Sequence, residues 1–97
     1  MTIRTVTLST GDVPFKYEII DLIFAYGSSN ETIFQGASPV QAYEKVSSLL
    51  ERRAAEIGAD AVVWVRYEYR VAQSRDFFVP NQVFEVFAYG TAVRLSF

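Results

Sequence analysis

The sequence contains no cysteine and no histidine. Without thiols there is no disulfide framework, no thiol nucleophile and no thiolate ligand. Without imidazole there is no histidine base and no imidazole-held metal. Charge is also scarce: 21% of residues are Asp, Glu, Lys or Arg, and the formal net charge is -2. That balance argues against an electrostatic grip on nucleic acid or on an anionic membrane. The most apolar stretch, Ile19 to Tyr26, is eight residues long and includes Asp21, whereas a membrane-spanning helix needs roughly 20 apolar residues. The N-terminus, Met1-Thr2-Ile3-Arg4-Thr5-Val6-Thr7-Leu8, lacks the apolar core of a secretory signal. A cytoplasmic location is therefore expected, and Asn30-Glu31-Thr32 is read as ordinary chain rather than a glycosylation acceptor.

Apolar side chains, by contrast, are abundant. They make up 51% of the 97 residues, and aromatics alone make up 15%. Such a chain is too apolar for intrinsic disorder and too short to split into two cores, so residues 1–97 are expected to form a single domain. No internal repeat, low-complexity tract or interdomain linker interrupts it.

Residues 3–9 carry Ile and Val with two Thr among them, a strand-forming composition, and Gly11-Asp12-Val13-Pro14 then marks a turn. Residues 17–26 predict a second strand. One of its faces would carry Ile20, Leu22, Phe24 and Tyr26, and the other Ile19, Asp21, Ile23 and Ala25. Both faces are apolar, unlike a strand with one solvated side. Gly27-Ser28-Ser29-Asn30 is read as the end of that strand, and Ile33 and Phe34 lie in the connection that follows. Ser38-Pro39-Val40-Gln41 opens a helix, with Ser38 as cap, Pro39 at the first helical position and Gln41 placed for a capping box. Tyr43, Val46, Leu50, Ala54 and Ile57 recur at steps of three or four, which predicts one apolar stripe ending at a left-handed Gly58. Residues 61–71 alternate Ala61, Val63, Val65, Tyr67 and Tyr69 against Val62, Trp64, Arg66, Glu68 and Arg70. A polar loop is expected at Gln73–Asp76. The last strand, about 83–95, sets Phe84, Val86 and Ala88 against Val83, Glu85, Phe87 and Tyr89.

The order is β-β-α-β-β, and the simplest packing is an α+β fold: an antiparallel four-stranded sheet with one helix on one face. A single helix leaves the second face of that sheet bare. Trp64, Phe87 and side chains of the second strand would then form an exposed apolar patch, the usual mark of an interface. Self-association is expected on that ground alone.

The segment Ala42-Tyr43-Glu44-Lys45, the helix end Glu56-Ile57-Gly58-Ala59-Asp60-Ala61-Val62-Val63 and the later Tyr89-Gly90-Thr91-Ala92-Val93 together resemble the YbjQ-like family, commonly labelled a heavy-metal-binding domain. The resemblance covers the chain from the helix to the C-terminus. It implies a dodecin-like subunit, a ring-shaped homo-oligomer, commonly a pentamer, and no established catalytic activity.

Heavy metals prefer thiolate, thioether or imidazole donors, and this chain offers only the thioether of Met1. No calcium-loop pattern is present either. No metal site is therefore expected, and a ring of one repeated carboxylate about a symmetry axis is the arrangement left open. Asp21 and Glu85, acidic residues on apolar strands, are read as partners of Arg66, Arg70 or Arg94 or as exposed at a sheet rim, in preference to proton acceptors with raised pKa. Asp60 is assigned to local backbone hydrogen bonds. Gly90-Thr91 is read as a bulge or a close backbone approach rather than a phosphate loop. Phe77, Phe78, Phe84 and Phe87 could stack a planar ligand, but their strand spacing favours core or subunit interface. Arg66-Tyr67-Glu68-Tyr69-Arg70 mixes cations with aromatics, yet the acidic balance disfavours single-stranded nucleic acid.

The exposed apolar face predicts a homo-oligomer, and the resemblance implies that it is non-enzymatic and a pentamer. It would serve as a scaffold or binding module with no cofactor, no nucleic acid and no membrane partner. Trp64, Phe77, Phe78 and Phe87 are its expected interface residues. The alternative is a binder of a small ligand or metal ion with sites between subunits.

Overall fold

The computed structural model describes residues 5–30, 39–76 and 79–96. The elements are β1 (Thr7–Leu8), β2 (Lys16–Asn30), α1 (Pro39–Glu56), β3 (Ala61–Asp76) and β4 (Val79–Ser96). The sheet order is β1-β3-β4-β2. The expected all-antiparallel sheet is corrected here: β4 runs antiparallel to both β2 and β3, but β1 runs parallel to β3, so the sheet is mixed. The cause lies in the connections. β1 and β2 follow one another in sequence but occupy opposite edges of the sheet, three strand spacings or roughly 14 Å apart. Residues 9–15 are long enough to cross that width. α1 makes the second crossover, leaving the β2 edge and returning the chain to β3 past β4, so β1, β2 and β3 all share one direction.

The helix forms where its caps and stripe place it. Pro39 is its first residue, and Ser38 lies outside the described residues, as do Ile33 and Phe34. At the other end Gly58 has φ 78°, which only glycine adopts at little cost. The Gly58 N–H bonds the Ala55 carbonyl at 3.1 Å and the Ala59 N–H bonds the Ala54 carbonyl at 2.9 Å, the paired closure of a Schellman turn. The buried residues of α1 are Ala42, Val46, Leu50 and Ala54, a straight run at steps of four. Tyr43 is partly buried, whereas Ile57 lies past the last turn and is exposed. The buried stripe packs on Ile23, Ala25, Val62, Val65, Val86, Ala88 and Ala92.

Gly27 does not end β2. The strand continues through it to Asn30, and its value there is thinness. A Cβ on Gly27 would stand 3.3 Å from the Ala42 carbonyl oxygen, so the helix lies directly on the strand. Residues 73–76, expected as a loop, extend β3, and β4 begins at Val79.

Two bulges reset the faces. Between Ile19 and Asp21 the β2 register slips against β4. Ile20, expected beside Leu22 and Phe24, accordingly packs partly against the helix-side core, and Ile19 is exposed. Between Val63 and Arg66 the β3 register slips against Thr91 and Tyr89, leaving Trp64 and Val65 opposite Gly90. Val62, Val65 and Tyr67 therefore face the helix, while Ala61 and Val63 join the opposite face, where they pack with Val93. The unbroken alternation expected for residues 61–71 fails at this point. The expected split of β4 holds.

Gly90 is required by this geometry. A Cβ there would lie 2.7 Å from Val62 Cγ1, 3.2 Å from Val65 Cγ2 and 3.2 Å from the Val63 carbonyl oxygen. The bulge reading of Gly90 made from the sequence agrees with this crowding. Gly90→Ala is expected to destabilise the fold by about 1–3 kcal/mol, the usual range for overpacking. The check is a lowered urea midpoint at unchanged m-value.

Candidate functional site

The face of the sheet away from α1 is covered at one end and bare along the rest. At the covered end, residues 9–15 cross between the two edges, and Val13 and Tyr17 pack on Ala61, Val63, Val93 and Leu95. Ser9 and Gly11 tie this crossing to the β3 bulge. The Val65 N–H bonds the Ser9 carbonyl at 2.9 Å, and the Trp64 N–H bonds the Gly11 carbonyl at 3.0 Å. Trp64 has φ 55°, a left-handed backbone that is uncommon for a bulky side chain. Those two hydrogen bonds hold it there.

Beyond the crossing, cross-strand pairing sets the side chains in rows. Across β2, β4 and β3 the rows run Leu22–Thr91–Val63, Phe24–Tyr89–Arg66, Tyr26–Phe87–Glu68 and Ser28–Glu85–Arg70, each β4 residue pairing with both of its neighbours. Phe24 is 62% exposed, Trp64 48% and Phe87 37%. The Tyr26 and Phe87 rings meet at 5.2 Å between centroids, and the Arg70 guanidinium lies 5.9 Å from the Phe87 ring centre. Arg70 forms a salt bridge with Glu85, and that carboxylate raises the Arg70 pKa further above its ordinary value. The Tyr89 hydroxyl donates to Glu68 at 3.4 Å. A concavity of about 440 Å³ opens among Leu22, Phe24, Trp64, Arg66, Tyr89 and Thr91.

A second apolar patch lies on the helix side of the sheet, where β3 and β4 run on past α1. Tyr69 and Val71 are exposed there, and Tyr69 stacks on Phe84 at 5.2 Å with the rings 7° from parallel. The sheet edges contribute less. β2 pairs only with β4 among the described strands, yet three of its backbone groups are taken by side chains. Asp21 accepts from the Leu22 N–H at 2.8 Å, Arg53 donates to the Phe24 carbonyl at 2.5 Å, and Lys45 donates to the Ser28 carbonyl at 3.2 Å. Leu22, Phe24 and Ser28 share one parity along the strand, so these groups project to the same side. An edge furnished in this way is a poor template for strand addition.

The candidate residues from the sequence separate clearly. Trp64 and Phe87 lie on the bare face, while Phe77 and Phe78 lie outside the described residues. Glu85 pairs with Arg70, and Asp21 is exposed and bonded to the next backbone N–H. Asp60 reaches further than expected: it accepts from the Leu95 N–H at 2.9 Å, fixing the turn after the helix to β4. Arg66, expected as a partner of Asp21 or Glu85, and Thr91, expected at a bulge or close backbone approach, meet at the concavity. Their convergence depends on the bulge, which no local spacing announces.

No curated protein matches the chain. The family model described as "Putative heavy-metal-binding" matches residues 37–96. The chain belongs to this family, the YbjQ-like family. A solved structure of a protein of unknown function from Pediococcus pentosaceus ATCC 25745, assigned to the DUF74 family, superposes with a TM-score of 0.75 at 17% identity. The match covers 94% of this chain and 98% of that one, a likeness of fold.

The metal in the family description does not suit this member. Its sequence has no thiolate or imidazole donor, and among the described residues no three acidic groups gather into a site. Glu85, Asp60 and Asp21 are each engaged by a cation or a backbone N–H. Among the described residues, no helix is long and apolar enough to cross a membrane.

The hydrogen bond from Tyr17 to the Asp12 carboxylate, with partial burial and the negative charge of Asp12, raises the Tyr17 pKa above its ordinary 10.0, while the Trp64 indole pulls the other way. A raised pKa means that the folded state holds this proton more tightly than the unfolded chain does. The stabilisation is complete below about pH 10 and is lost as the pH rises through the folded value. Tyr17→Phe is expected to lower stability at pH 8, and its deficit relative to wild type should shrink above pH 10. Urea titrations at both pH values measure it.

Proposed function

We propose that this YbjQ-like chain is a non-enzymatic subunit of a dodecin-like homo-oligomeric ring, with the five copies that the family resemblance implies. The observation that carries this reading is the bare sheet face bearing Leu22, Phe24, Tyr26, Trp64, Phe87 and Tyr89. Six such side chains at roughly half exposure offer about 600 Å² per copy. Doubled across a contact, that reaches the lower bound of a specific interface. A ring also needs two different surfaces per copy, because like surfaces meeting face to face close as a dimer. The Tyr69–Val71 patch lies on the opposite side of the sheet and supplies the second surface. Contact of one copy's Tyr69–Val71 patch with the next copy's bare face is head-to-tail, and such contacts form a ring where the rotation between copies closes.

A second reading, a small-ligand site between subunits, is favoured by the concavity around Trp64 and Arg66. It is open on one side in the single chain, and the copy covering the aromatic rows would close it. Catalysis has little support, since the sequence offers no histidine or cysteine to form a nucleophile–base pair.

Light scattering after size exclusion tests the assembly. The expected mass is a multiple of 11.0 kDa, near fivefold, at micromolar concentration. Phe24→Asp with Phe87→Asp is expected to reduce it to the monomer while circular dichroism stays native. A wild-type monomer would refute the ring.

A further inference from the structure

The concavity on the bare face has a more specific chemistry than its apolar surroundings. Its walls are the Trp64, Phe24 and Tyr89 side chains with Leu22 and Thr91, and among the described residues Arg66 is the one charged residue that lines it. Arg70, two residues on, is paired with Glu85. Arg66 forms no salt bridge among the described residues, and Glu68, the acid beside it on the same face, accepts from Tyr89. An exposed guanidinium with unused donors suits a carboxylate, sulfonate or phosphate, which it can hold through two parallel hydrogen bonds. Flat aromatic walls suit a flat ring. The volume of about 440 Å³ lies in the usual range for small-molecule sites.

The backbone supplies an independent observation. Trp64 has φ 55°, a left-handed backbone that a bulky residue adopts only under strain. The Ser9 and Gly11 carbonyls and the glycine at position 90 maintain that conformation, and through it the indole stays on the rim of the concavity instead of alternating into the core. Strain of this kind gathers where a side chain must be presented to a ligand.

We propose that this concavity binds a planar aromatic anion, a fused two- or three-ring system whose acidic group is held by Arg66 and whose rings lie against Trp64, Phe24 and Tyr89. The assignment deepens the small-ligand reading above and does not depend on the number of copies in the ring.

Isothermal titration calorimetry of the full chain with three probes tests it: naphthalene-2-sulfonate, its neutral analogue naphthalene-2-methanol, and cyclohexanesulfonate, which is anionic but not aromatic. The sulfonated naphthalene is expected to bind at least about tenfold more tightly than either control, the weight of one charge-assisted hydrogen-bonded contact. Arg66→Gln should abolish its advantage over the neutral analogue, Arg66→Lys should retain part of it, and Arg70→Gln should leave it unchanged. Equal affinity for the charged and neutral naphthalenes, or an Arg66→Gln protein that still prefers the sulfonate, would overturn the proposal. Light scattering on the same samples separates the two ideas. An intact ring with no preference for the sulfonate removes the ligand site alone. A monomer that shows the Arg66-dependent preference supports the site and removes the ring.

Discussion

The two-for-one bulge at Trp64 and Val65, opposite Gly90, is the constraint on which the arrangement of this protein depends. A strand alternates its side chains strictly, and one inserted residue reverses the assignment of everything beyond it. Below the bulge β3 sends Val62 to the helix and Ala61 and Val63 to the other face. Above it, Val65 and Tyr67 face the helix, and Arg66, Glu68 and Arg70 face away. The sheet can therefore bury valines on both sides at one end and carry charged residues beside aromatics at the other. Gly90 makes the bulge sterically possible, and the carbonyls of residues 9 and 11 keep it in place.

Coverage is the second theme, and it is a matter of length. An 18-residue helix is about 27 Å long, whereas a strand of 18 residues reaches roughly twice that. The molecule extends 57 Å along its longest axis. One helix cannot cover such a sheet even on its own side. The crossing at residues 9–15 covers one end of the opposite face, leaving two apolar surfaces on opposite sides of the sheet. The self-association proposed for the chain follows from that shape, and the side chains that furnish the β2 edge direct it toward faces rather than toward strand addition.

Membership in the YbjQ-like family and the chemistry of this member point in different directions on metal. The fold is shared with a solved DUF74 protein over nearly the whole chain, but folds do not carry ligands with them. A site needs donors, and soft metals require sulfur or nitrogen, whereas Glu85, Asp60 and Asp21 are carboxylates already held by arginine or by backbone amides. Arg66, a cation with no salt bridge among the described residues, stands on the bare face instead, set among aromatic rings.

Much of this was legible in the sequence, for local reasons. The helix and its glycine stop follow from spacing and from the φ that only glycine readily adopts, and the apolar surplus already required a sheet face that one helix could not cover. The missing thiol and imidazole excluded their chemistry outright, because composition needs no geometry. What the sequence left open were consequences of contacts between distant residues. That β1 lies parallel to β3, that Gly27 marks helix contact rather than a strand end, and that Asp60 bonds to β4 all depend on which segments become neighbours. Above all, local alternation cannot show an inserted residue whose position is set by a glycine 26 positions later and by carbonyls more than 50 positions earlier. The sequence determined how much apolar surface there would be. Only the tertiary structure decided which face carries it, because one bulge, fixed by long-range hydrogen bonds and by steric room at Gly90, sets the direction of every side chain beyond it.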